Sequence, residues 1–106
     1  MNIIWSPSAT EALVKTAAYI RKEFGSKSKK RFLDEIKHTA ELLKDYPNLG
    51  IVESLLEGTP VLYRTIVVGR LNKLVYFINK QTIEIVALWD TRSEPEAQAE
   101  KLKREN

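Results

Sequence analysis

Cysteine is absent from all 106 residues. That excludes a disulfide framework and a thiolate metal site. Histidine occurs once, at His38, too sparsely for a histidine-built metal centre. No metal or other cofactor is therefore expected. Glycine is scarce, with 4 in the chain, and no glycine-rich phosphate loop occurs. Internal repeats and low-complexity stretches are missing as well. No apolar run approaches the roughly 20 residues that cross a bilayer. The opening MNIIWSPS lacks a basic segment followed by a long apolar one, so no signal peptide is expected. Together these absences predict a soluble cytoplasmic protein without a membrane partner.

Charge of one sign is also weak. Seventeen Lys and Arg face fourteen Asp and Glu, a formal net charge of +3. Such a balance permits an acidic partner or nucleic acid and demands neither. What the chain does have is a globular composition, 43% hydrophobic and 29% charged, in the length of one domain.

The richest apolar stretch runs from Pro60 to Arg92. Its β-formers are broken at Gly69 to Asn72 and at Asn79 to Gln81, which predicts three antiparallel strands near 61–68, 74–79 and 82–89. Both alternating sets of positions are largely apolar, so one face should pack on helices and the other should be partly covered. Upstream, Asn2 to Trp5 reads as a short strand. Ser6-Pro7-Ser8 announces a helix, because proline at the first helical position lacks an N–H that would have had no partner. Either serine could cap it, and Ser8 with Glu11 would form a capping box.

Ala9, Ala12, Leu13, Thr16, Ala17, Ile20 and Phe24 recur at helical spacing and end at Gly25. A second helix from Ser26 or Ser28 carries Phe32, Leu33, Ile36, Ala40 and Leu43 on one side and ends at Tyr46-Pro47. The short turn between the two predicts an antiparallel helical hairpin. Lys27, Lys29, Lys30 and Arg31 cluster at the start of the second helix, either as a solvated face or as a contact for an acidic partner. Residues 48–59 read as a loop bounded by turn signals. Residues 93–106 form a polar tail, a short surface helix or a frayed terminus, with Leu102 its only large apolar residue.

In this order these features resemble the RelE/ParE superfamily of type II toxin–antitoxin toxins. The resemblance spans Ile4 to Arg92. It rests on Trp5 with the alanine-rich first helix, on Phe32, Ile36 and Leu43 before Pro47-Asn48-Leu49-Gly50, and on Tyr63-Arg64 with Ile66-Val67-Val68. It continues through Leu74-Val75-Tyr76 and Ile85 to Trp89 followed by Asp90-Thr91-Arg92. It implies an α+β toxin domain over 1–92, an N-terminal strand and two-helix hairpin on a small, mainly antiparallel four-stranded sheet. The face away from the helices would be shallow and concave, with Arg64 on it and Arg92 at its edge.

The resemblance also implies a cognate antitoxin partner and growth inhibition. Toxins of the ParE type poison DNA gyrase, whereas those of the RelE type cut mRNA in the ribosome. A third reading is a non-toxic module that still binds an antitoxin. As an enzyme the chain would be a metal-independent endoribonuclease, which needs a base for the ribose 2′-OH, a cation for the phosphoryl oxygens and an acid for the leaving oxygen. Arg64 and Arg92 match the family's arginines and suit the cation role, since guanidinium donors fit phosphate oxygens bidentately.

Acid and base are less evident. The terminal tyrosine and histidine common in RelE-like nucleases are missing after Arg92. Tyr76, a middle-strand tyrosine, is a candidate if it reaches the concave face and a core residue otherwise. Lys73, Glu53 and Glu57 are further proton-transfer candidates. His38 reads as a surface or packing histidine, and Trp89 as core rather than a stacking platform. A structural role is equally open to the arginines: Arg64 paired with Glu84, and Arg92 with Asp90 or Glu94. The missing terminal residues favour the ParE-like reading, or a weakly active toxin.

Overall fold

A computed structural model describes residues 1–105. The chain runs β1 (Asn2–Trp5), α1 (Pro7–Phe24), α2 (Ser26–Asp45), β2 (Ile51–Val52), a 3-10 turn (Ser54–Leu56), β3 (Arg64–Val68), β4 (Asn72–Asn79), β5 (Thr82–Asp90) and α3 (Pro95–Glu105). The five strands form one sheet in the order β1-β5-β4-β3-β2. β1 lies parallel to β5, and the remaining pairs are antiparallel. The α+β class, the helical hairpin and the mainly antiparallel sheet are as expected. The strand count differs by β2, a two-residue pairing of Ile51 with Thr65 and Val52 with Arg64 inside the segment read as a loop.

Local chemistry explains the helix ends. Ser6 is the cap, its Oγ accepting from the Ala9 amide at 3.0 Å, with Pro7 in the first turn. Ser8 instead donates to the Glu105 carboxylate at 3.0 Å. Gly25, at φ +94°, closes α1 through its amide on Arg21 and starts α2 directly. A side chain there would be strained, which is why the hairpin turns at a glycine.

The sheet is covered on both sides. On one face, Leu74, Tyr76, Ile83, Ile85 and Val68 pack with Ala9, Ala17, Phe32, Ile36 and Leu43 of the helical hairpin. On the other, Val75, Val86, Trp89 and Tyr63 pack with Leu56 and with Ala99 and Leu102 of α3. The tail thus adds more to the core than its composition promised. Ala99 and Leu102 are each only 3% exposed. Two apolar residues one turn apart are enough because α3 lies over a sheet face that is already apolar.

A β-bulge in β5 sets which of its residues enter each core. Tyr76 pairs with Ile85, but its neighbour Val75 pairs with Ala87, which leaves Val86 as the extra residue. The insertion reverses the alternation along the strand. Ile83 and Ile85 face the hairpin before it, and Leu88 faces the hairpin after it. Trp89 consequently turns to the α3 side, where it is 6% exposed.

Candidate functional site

Arg64 and Tyr76 stand directly opposite one another on β3 and β4. Arg64 alternates with Ile66 and Val68, and Tyr76 with Leu74 and Ile78, all of which belong to the hairpin-side core. Both residues therefore project from the hairpin side of the sheet. The expectation that Arg64 lies on the face away from the helices is corrected by this register. The physical reason is that both alternating sets of β3 are apolar, so the pattern alone does not say which set meets the helices.

The two side chains hold one loop. Arg64 Nη1 donates to the Gly50 carbonyl at 2.8 Å and lies 3.4 Å from the Asn48 carbonyl. The Tyr76 hydroxyl donates to the Pro47 carbonyl at 2.7 Å and accepts from the Gly50 amide at 2.8 Å. Tyr76 is fully buried, and burial raises its phenol pKa, partly opposed by the Gly50 N–H bond and the Arg64 charge. A phenol held protonated with both hydrogen-bonding directions occupied by backbone is poorly set up as a base. Among the described residues no ion pair joins Arg64 to a carboxylate, and Glu84 is engaged by Asn79 at 2.9 Å instead.

Arg92 is elsewhere. It follows the last residue of β5, and Asp90 there pairs with Asn72 at the start of β4. Tyr76 lies four residue steps along β4 from Asn72, a distance along the strand of about 13 Å. Arg92 grips Asp90 bidentately, Nε to Oδ1 at 3.1 Å and Nη2 to Oδ2 at 3.0 Å, with its own amide on Oδ1 at 2.9 Å. The Arg92 guanidinium lies 5.8 Å from the centroid of the Tyr19 ring. These bonds hold the Asp90 carboxyl below its usual range and push the Arg92 pKa up, with the Asp90 hydrogen bond the largest cause in Arg92. From the far side α3 clasps the same residue: Gln98 Oε1 accepts the Asp90 amide at 3.0 Å, and Gln98 Nε2 donates to the Asp90 carbonyl at 3.1 Å.

So Arg64 and Tyr76 come together midway along β4, while Arg92 sits by the start of that strand. Lys73 faces Val67 and Trp89 across the strands, and Glu53 follows β2. His38 is exposed on α2. Sequence reasoning missed Gly50, Tyr19 and Gln98. Only Gly50 carried a signal, as the last residue of the Pro47-Asn48-Leu49-Gly50 turn. Among the described residues there is no cluster of His, Cys, Asp and Glu of the kind that holds a metal, and no helix is long and apolar enough to cross a membrane.

A helical hairpin on a five-stranded, mainly antiparallel sheet, with an arginine opening β3 and another two residues beyond β5, is the α+β architecture of the RelE/ParE kind. The sequence matches the family model described as "ParE toxin of type II toxin-antitoxin system, parDE" over residues 3–95. The chain belongs to that family. Among curated proteins none matches the sequence.

Solved structures agree on the fold. A chain of the chromosomal ParDE toxin–antitoxin system from P. aeruginosa is similar at a TM-score of 0.68 and 16% identity, covering 85% of this chain and 95% of that one. The YoeB/ParE toxin from Agrobacterium tumefaciens gives 0.53 and 16%, covering 85% and 98%. A chain of the heterotetrameric YoeB-YefM toxin–antitoxin complex from Staphylococcus aureus gives 0.53 and 20%, covering 82% and 92%. At these identities the likeness speaks for the fold alone.

Proposed function

We propose that this toxin arrests growth in the ParE manner, by binding DNA gyrase as a protein partner, and that a cognate antitoxin keeps it silent. One observation carries the choice of target. The candidate residues for RNA cleavage do not converge. Arg64 and Tyr76 are engaged with the backbone of residues 47–50, and Arg92 is paired with Asp90 at the far end of the sheet. Phosphoryl chemistry needs cation, acid and base within hydrogen-bond reach of one scissile group. A protein that works by occupying a surface needs no such convergence. The neutralising antitoxin is supported by the family and by the toxin–antitoxin complexes among its structural relatives.

The test is direct. Purified protein added to gyrase and relaxed plasmid should inhibit supercoiling and leave cleaved DNA when the reaction is stopped with detergent. Messenger RNA in a translating extract should stay intact. Ribosome-dependent cuts in the message, with gyrase unaffected, would overturn the gyrase reading in favour of an mRNA interferase. Absence of growth arrest together with tight antitoxin binding would leave a non-toxic binding module.

A further inference from the structure

Phe24 is the one large residue of the predicted core face of α1 that the core does not take. It stands 63% exposed. Beside it Tyr19 is 45% and Leu71 39% exposed, although both are large and apolar. These three residues line a single groove of about 890 Å³ between the hairpin's turn end and the β3–β4 turn. The groove also holds four cations and two carboxylates. Lys15 is already paired with Glu11, and Arg92 with Asp90. What remains is Arg31 of α2 and Arg70 of the β3–β4 turn against the single carboxylate Glu35. Neither arginine has an ion-pair partner among the described residues. Lys27, in the first turn of α2, adds charge next to Arg31.

We propose that this groove docks a segment of the antitoxin, one that presents apolar side chains to Phe24, Tyr19 and Leu71 and carboxylates to Arg31 and Arg70. The inference rests on the toxin reading above and adds where and by what chemistry the partner is held. Exposed apolar side chains lining one groove beside unpaired charge suit a protein contact, because burying them removes apolar area from water while the charges select the partner. Nucleic acid fits less well. Surfaces that take phosphates are much more positive than this one, and phosphates would leave Phe24 and Leu71 uncovered. The basic cluster at the start of α2 thereby acquires a use. Cations at a helix N-terminus are mildly unfavourable for the helix itself, and an acidic partner would offset that cost.

The experiment titrates full-length toxin with the full-length product of the adjoining reading frame by calorimetry. Wild type is compared with Phe24→Asp and with the double variant Arg31→Glu/Arg70→Glu. All three positions are exposed, and melting curves recorded in parallel establish that each variant is folded. Each variant should bind at least about tenfold more weakly than wild type. Wild-type affinity should fall with added salt more steeply than that of the double variant. Equal binding by all three proteins would overturn the docking site and leave the toxin reading standing. Failure of wild type itself to bind would remove both the antitoxin partner and this site. Retention of a 20-base-pair DNA duplex by wild type but not by the double variant, with antitoxin binding unchanged, would overturn the proposal in favour of a nucleic-acid surface.

Discussion

The Tyr76 hydroxyl sits between the Gly50 amide at 2.8 Å and the Pro47 carbonyl at 2.7 Å, so one buried side chain clamps a loop 26 residues away in sequence. Tyr76→Phe keeps the ring and its packing and strands both backbone groups. An unsatisfied buried polar group costs about 1–3 kcal/mol. Urea unfolding should show a loss of that size with an unchanged slope, and a loss under about 0.5 kcal/mol would mean that water replaces the clamp.

Gly50 leaves less room still. A Cβ at this position would lie 2.8 Å from the Thr65 carbonyl oxygen and 2.8 Å from Tyr76 Cε1. The first neighbour is backbone and the second is fixed in the core, so neither can yield cheaply. Gly50→Ala should therefore destabilise more than Tyr76→Phe does, beyond the roughly 1–3 kcal/mol usual for overpacking. Circular dichroism melts of the two variants side by side decide the order, and a milder Gly50→Ala would contradict it.

Much of this fold is legible in the sequence because its signals are local. Ser6-Pro7 starts α1, Gly25 turns the hairpin, and the apolar runs broken at Gly69–Asn72 and Asn79–Gln81 mark the strands. β2 is not legible, because a two-residue strand exists only through its partner Arg64–Thr65. The packing of α3 depends on a sheet face to which the Val86 bulge adds Trp89. Candidate residues could be named, since arginine in an apolar strand is conspicuous. Their side of the sheet could not, because both faces of β3 and β4 are apolar. The Gly50 contact with Tyr76 spans the chain and leaves no periodic trace at all.

Leu102 tests the share of α3 in the core. It is 3% exposed and packs with Val86 and Trp89 in the second cluster. Leu102→Ala should cost about 2–5 kcal/mol, the usual range for a buried leucine. Trp89 emission should shift to longer wavelength in denaturant well before that of wild type. A cost under about 1 kcal/mol would mean that α3 is dispensable to the fold.

Asp90 gives the acid limb of the stability curve a definite sign. Its carboxyl is held below the ordinary value of 3.8, chiefly by the Arg92 side-chain hydrogen bond. On acidification the unfolded chain takes up this proton first. The contribution is present above the ordinary carboxylate pKa and is lost as pH falls through the depressed folded value. Both side chains are partly solvated, so the effect is modest. Asp90→Asn should flatten the loss of melting temperature below about pH 4 and leave the slope near neutrality unchanged. A steeper acid limb in the variant would contradict this account.

Separation of the two arginines predicts which substitutions interact. Arg64 and Tyr76 face each other and share the Gly50 backbone, so Arg64→Ala and Tyr76→Phe remove parts of one network. Their double-mutant cycle should give a coupling energy of about 0.5–3 kcal/mol. Arg64 opens β3, whereas Arg92 follows the Asp90 that lines up through Asn72 with Val68 at the other end of β3, and the two arginines have no common partner, so Arg64→Ala with Arg92→Ala should add within about 0.5 kcal/mol. The same logic carries to activity. Two residues serving one catalytic centre give non-additive losses, because the first removal disables what the second would have helped. Growth arrest scored at matched expression should therefore fall multiplicatively in the Arg64→Ala/Arg92→Ala double variant. If either single variant is already as inactive as the pair, the two arginines act as one unit, and a nuclease-like centre that forms only on the target becomes the better account.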